Sequence, residues 1–134
     1  MTLRGSCLCG TVRYQIDRLD GAIEHCHCRT CQKAHASAYA TTARVKPEHF
    51  RWEAGGEAVL GYESSPGKVR RFCGRCGTPL VAERAGRPYL SLRVATLDDD
   101  PGLRPAMHIW VSHDLPWLGD EGGLPRDPEW PMGR

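Results

Sequence analysis

Apolar residues recur at every second position through much of the chain, in short runs broken by glycine and proline, and this period predicts β-strands. In TVRYQI it places Val12, Tyr14 and Ile16 on one face. AYATTARV, EAVLGYES, KVRRFC, PLVAER, YLSLRVATL and MHIWVSH repeat the pattern, and EAGGE, SSPGK, AGRP and DDDPG mark turns between them. Only RTCQKAHAS reads as a helix, of about two turns. From Pro116 onward glycine, proline and charge predominate (GDEGGLPRDPEWPMGR). That composition predicts a wrapped C-terminal tail over 116–134, with Trp117 and Trp130 docking parts of it on the body. No repeat or low-complexity segment divides the chain, so 1–134 is expected to be a single domain. The expected fold class is all-β with one short helix.

Composition sharpens this only by exclusion. The chain has 134 residues, of which 40% are hydrophobic and 25% charged, as in an ordinary globular protein. Its formal charge of +2 comes without the concentrated basic stripe that binding to nucleic acid demands. No stretch approaches a membrane span, and MTLRGSCLCGTVRY lacks the apolar run of a signal peptide. Neither nucleic acid nor membrane is an expected partner. The expected location is cytoplasmic, where thiols stay reduced. Seven cysteines cannot all pair with one another, and closely spaced reduced thiols point to metal.

The cysteines fall into three groups: Cys7 and Cys9, then Cys26, Cys28 and Cys31, then Cys73 and Cys76. Residues i and i+2 of an extended chain point to one side, so Cys7 and Cys9 can share an ion. CGRCG at 73–77 reads as a tight turn in which Gly74 and Gly77 adopt positive φ and both sulfurs converge. Two such pairs make one closed, tetrahedral four-cysteine zinc site, which two short-spaced pairs fit far better than isolated core cysteines do. Zinc held this way contributes to folding directly, on the order of 10 kcal/mol in small domains.

HCHCRTC, residues 25–31, offers three thiols and no obvious fourth. Cys26 and Cys28 share one face of a strand, and Cys31 lies a helical turn further on the same side. Structural zinc sites are closed, whereas catalytic ones keep three protein ligands and an open position. His35 leaves a choice open. It follows Cys31 by four residues on the same helical face, so it either completes a site of three cysteines and one histidine or handles protons beside an open one. His25 and His27 alternate with the cysteines and point to the opposite face. His49, His108 and His113 carry no spacing signal and read as structural.

GSCLCGTVRY, CHCRTCQKAH, FCGRCGTPL and HIWVSHDLPW, in that order, resemble the glutathione-dependent formaldehyde-activating enzymes, a family that includes centromere protein V. The resemblance implies antiparallel sheets leaning together as a β-tent, stapled by two zinc ions. It implies that Cys7, Cys9, Cys73 and Cys76 hold a structural zinc, and that Cys26, Cys28 and Cys31 hold a catalytic one. The implied activity is that of a carbon–sulfur lyase of the S-(hydroxymethyl)glutathione synthase type, with glutathione or a similar thiol and an aldehyde as partners.

Three thiolates leave zinc a poorer Lewis acid than neutral imidazoles do, so hydrolysis is the weaker expectation. A coordinated thiol is nonetheless deprotonated, and the thiolate is the nucleophile. His35 is the candidate proton relay. Arg29, Lys33, Arg70, Arg71 and Arg75 flank the cysteine motifs and are candidates for binding carboxylates of the thiol. A non-catalytic zinc-stiffened interaction module is the alternative. A redox switch at Cys26, Cys28 and Cys31 is weaker, because zinc masks those thiols.

Overall fold

The computed structural model describes residues 2–119 and 121–133. Met1, Asp120 and Arg134, which the expected domain and tail include, lie outside the described residues. In chain order the elements are β1 (Leu3–Ser6), β2 (Arg13–Ile16), β3 (Ile23–Cys26), helix α1 (Arg29–His35) and β4 (Ala40–Val45). They continue as β5 (Phe50–Ala54), β6 (Val59–Ser65), β7 (Lys68–Cys73), β8 (Pro79–Arg84), β9 (Leu90–Arg93) and β10 (Pro105–Ile109). A small sheet runs β1-β2-β5, and a large one β10-β3-β4-β9-β8-β7-β6. Every pairing is antiparallel except β10 with β3, which is parallel and makes the large sheet mixed.

The core lies where the expected apolar face of β2 meets the large sheet. Val12, Tyr14 and Ile16 are fully buried and pack with Val45, Leu80 and Leu92. Fully burying side chains of this size contributes about 1.5–3 kcal/mol each. Gly5 of β1 lies against the Tyr14 ring so closely that a Cβ there would overlap it. That close approach explains a glycine inside a strand.

The predicted strands KVRRFC and PLVAER coincide with β7 and β8. The other predicted runs overlap shorter strands. YLSLRVATL stops at Arg93 and turns into a 3-10 turn, Val94–Thr96. MHIWVSH leaves its strand at Ile109, because Trp110 takes a left-handed φ of 60° before the 3-10 turn Val111–His113. No strand or helix follows His113 among the described residues. Trp117 and Trp130 are 71% and 72% exposed, so they do not anchor the tail by burial as the sequence led one to expect.

Candidate metal centres and the cleft beside them

The first cluster joins two turns that are distant in sequence. Cys7 and Cys9 sit in the turn after β1, not on a strand as expected. That turn closes when Gly10 N–H donates to Cys7 O (3.0 Å), with Gly10 at φ 77°. Cys73 ends β7, and Cys76 lies in the turn leading to β8. Gly77 takes the expected positive φ, 80°, and its N–H donates to Cys73 O (2.8 Å). Gly74 does not. It is required for space, since a Cβ there would stand 2.7 Å from Ala58 O. Backbone N–H groups of Val12 and Arg75 donate to the Cys7 and Cys73 sulfurs at 3.3 Å. The Thr11 and Thr78 hydroxyls lie 3.2 Å from the Cys9 and Cys76 sulfurs and pull both thiols below their ordinary value, Cys76 to about 5.

All four sulfurs lie within 4.8 Å of one another. Zinc at the usual 2.3 Å from sulfur sets tetrahedral sulfur–sulfur edges of about 3.8 Å. The observed Cys7–Cys9 and Cys9–Cys73 separations are 3.6 and 3.9 Å. This donor set fits zinc.

The second cluster is local. β3 ends at Cys26, and Cys28 is the N-cap of α1, its sulfur accepting from Cys31 N–H at 3.4 Å. The trio thus spans a strand end, a helix cap and a first helical turn, rather than placing Cys26 and Cys28 on one strand face. Cap and first turn are close in space, which is why the sulfurs still converge within 4.8 Å. The Cys26–Cys31 separation of 3.7 Å matches the same tetrahedral edge. Cys31 is the acidic member: its hydrogen bond with Cys26, then those with Cys28 and the Arg70 guanidinium, draw its thiol down to about 4. Cys26 moves up in exchange, through its bond to Cys31 and through burial. The nitrogens of Arg70 lie 3.8 and 3.9 Å from Cys31 Sγ, steadied by Ser64 and Thr30 hydroxyls at 2.9 and 3.2 Å.

His35 stays outside this three-sulfur group. Its Nε2 is buried without a hydrogen-bond partner. Burial, aided by the Arg93 charge, pulls the imidazole down to about 4, which leaves it neutral at neutral pH.

The opposite side of the trio is clamped by the segment after β10. His27 is buried, with Nδ1 hydrogen-bonded to Asp114 and Nε2 2.8 Å from His108 Nδ1. Its N–H donates to Ile109 O at 2.9 Å. Gln32 donates to the carbonyls of His27 (2.8 Å) and His113 (3.1 Å), and Arg29 N–H donates to His113 Nδ1 (3.2 Å). His25 turns to the same side, its ring 4.3 Å from that of Tyr39 and 5.1 Å from that of His108.

A cleft of about 220 Å³ opens beside the trio, and Cys26 and Cys31 line it. Register explains its other walls. Glu24 pairs across to Thr42 and Thr42 to Arg93, while Arg44, Ser91 and Ala82 form a neighbouring row that continues, beyond the cleft, to Arg70. Residues paired across strands share a face, so the large sheet presents one polar, arginine-rich face to the trio and packs its other face on the core. Lys68 and Arg93 line the cleft; of the basic residues singled out in the sequence, Arg70 touches Cys31 and none lines this cleft. Sequence reasoning missed Lys68, Arg93 and Asp114, because cross-strand register and the return of the C-terminal segment leave no local motif.

Among the described residues, no helix is long and apolar enough to cross a membrane. A crystal structure of a Rhodobacter sphaeroides protein has a similar fold, with a TM-score of 0.64 and 24% identity over 78% of this chain and 98% of its own. No curated protein matches the sequence. The family model described as glutathione-dependent formaldehyde-activating enzyme matches residues 2–113, the span that holds all seven cysteines and the clamp around His27, apart from Asp114. The chain belongs to the glutathione-dependent formaldehyde-activating enzyme family.

Proposed function

We propose that this chain is a carbon–sulfur lyase of the S-(hydroxymethyl)glutathione synthase type, adding a thiol to an aldehyde. The observation that carries the reading is the inequality of the two clusters. Four sulfurs close one, while three sulfurs beside a cleft leave a donor position free in the other. In this reading Cys7, Cys9, Cys73 and Cys76 hold a structural zinc, and Cys26, Cys28 and Cys31 hold a catalytic one. When bound, zinc supplies the positive charge that keeps a thiol in its reactive thiolate form at neutral pH.

The residues of the chain account for the rest. Arg70 holds the Cys31 sulfur and offsets the negative charge that three thiolates bring together. The substrate sulfur adds to the carbonyl carbon, the π pair of the carbonyl moves to its oxygen, and that oxygen takes up the proton that the thiol gave up. No oxidant or reductant is needed. His35, four residues from Cys31 and neutral, is the proton carrier in this scheme. Residues 1–134 act as one zinc-binding domain, with 116–134 as its tail, and the working compartment is the cytoplasm.

The test compares formation of the glutathione–formaldehyde adduct with the uncatalysed mixture, because this condensation also proceeds without an enzyme. The native chain should accelerate it and Cys31→Ala should not. His35→Ala should slow it by about a hundredfold or more. A folded, zinc-loaded native chain that gives no acceleration would leave the non-catalytic module.

A further inference from the structure

Four strands stand at the edges of the two sheets: β1 and β5 in the small one, β10 and β6 in the large one. An edge strand presents unpaired backbone N–H and C=O groups, and proteins guard such edges against other chains. Three of the four are guarded. β1 is covered by the segment before β10: Asp98 N–H donates to Arg4 O, Arg4 N–H donates to Asp99 Oδ2, both at 2.8 Å, and Gly5 bridges to Leu97. β5 carries two charges, Arg51 and Glu53, and its pairing with β2 is irregular. β10 begins with Pro105, and its register shifts between Pro105 and Met107. β6 is different. At seven residues it is the longest strand among the described residues, and VLGYESS contains no lysine, arginine or proline. Its one irregularity falls between Glu63 and Ser65, which leaves residues 59–63 as a regular run with Gly61 at the centre. On that run Leu60 and Tyr62 are 53% and 67% exposed.

The run is complementary to itself. Laid antiparallel about Gly61, a second β6 sets Leu60 opposite Tyr62 of the other copy, and Tyr62 opposite its Leu60, as apolar cross-strand pairs. Charge agrees with this register. A Cβ on Gly61 would stand 2.8 Å from Arg71 Nη1, so the Arg71 guanidinium lies over the glycine at the sheet edge. Glu63 is exposed and enters none of the ion pairs among the described residues. Residues two apart share a face, so Glu63 of one copy becomes the diagonal neighbour of Gly61 in the other, within reach of the guanidinium above it. We propose that two copies of this chain join edge to edge through β6, with a two-fold axis at Gly61, Leu60 packed on Tyr62 and Glu63 paired with Arg71 across the axis. Such a contact uses the same patch twice and closes at two copies. It is independent of the thiol-binding reading above.

Sedimentation velocity of the full, zinc-loaded chain tests this. A single strand is a small contact among specific interfaces, so monomer and dimer should exchange across the micromolar range. Leu60→Lys and Tyr62→Lys, which set a charge into the apolar pairs, should each weaken the dimer by at least about tenfold. Glu63→Lys should weaken it most at low salt, because it brings a second cation to Arg71. Amide hydrogen exchange in residues 59–63 should slow as the native chain is concentrated and stay constant in Tyr62→Lys. All three substituted side chains are exposed, and circular dichroism establishes that each variant is folded; should one fail, the other two decide. A native chain that stays monomeric across that range overturns the proposal. So does a dimer undiminished in the folded variants, since another surface would then hold it. Exchange in 59–63 that is indifferent to dimerisation, or assembly that grows beyond two copies, overturns the pairing of β6 with itself.

Discussion

Two clusters of cysteines lie in one small chain and are built in opposite ways. The four-cysteine cluster draws its pairs from turns more than sixty residues apart, at the ends of β1 and β7, so whatever it holds ties the small sheet to the large one. The three-cysteine cluster comes from one six-residue stretch, Cys26 to Cys31, where distant segments approach with other chemistry. Arg70 from β7 meets the Cys31 sulfur, and Asp114, after β10, holds His27 from behind. Closure of a site depends on a second segment delivering thiols. Where the second segment delivers a cation instead, as β7 does with Arg70 at Cys31, no fourth thiol joins the group. On the proposed reading, stability and chemistry are divided between the two clusters by long-range packing, although the individual motifs look alike.

The comparison breaks most visibly by mutation of one cysteine in each cluster. Cys73→Ala should unfold the domain, because a structural zinc contributes on the order of 10 kcal/mol. Cys31→Ala should keep the native circular dichroism and retain one zinc ion of two. Metal analysis beside thermal unfolding checks this, and equal loss of folded protein from both variants would erase the division. A smaller effect sharpens it. Asp114→Asn removes the charge that orients His27 between Cys26 and Cys28, at a cost of about 1–3 kcal/mol to that local geometry. Release of metal from the trio to a chelator should quicken by about tenfold or more, with the four-cysteine ion unaffected. Unchanged release would show that the clamp merely packs the C-terminal segment.

The strands with clean alternation were legible in the sequence, as was the buried row Val12, Tyr14 and Ile16. β1, β3 and β5 were not: LRGS and IEHC are only four residues each, and FRWEA, though it alternates Phe50, Trp52 and Ala54 with polar residues, runs straight into the turn signal EAGGE. The grouping of the cysteines was readable from spacing, but their local geometry was not. Cys7 and Cys9 lie on a turn, and Cys28 is a helix cap, because backbone hydrogen bonds to sulfur and to Cys7 O stabilise those conformations over extended strand. Glycine's permissiveness was rightly invoked at Gly77. At Gly74 the need was space beneath Ala58 O, which only the packed structure reveals. Lys68 and Arg93 converge through the pairing of β4, β9, β8 and β7, and the parallel return of β10 brings Asp114 to His27. Such contacts are properties of topology, and a motif scan carries no trace of them.

X-ray absorption at the zinc edge of the loaded native chain measures the inequality of the two clusters most directly. With one ion in four sulfurs and one in three, the average should be about 3.5 sulfurs per zinc, with one light atom from water sharing the difference. Addition of glutathione should raise that average to about 4 and remove the light-atom contribution, while Cys31→Ala should show no rise. A native average that glutathione leaves unchanged, with an imidazole nitrogen that disappears in His35→Ala, would mean that His35 closes the second cluster and that both sites are structural.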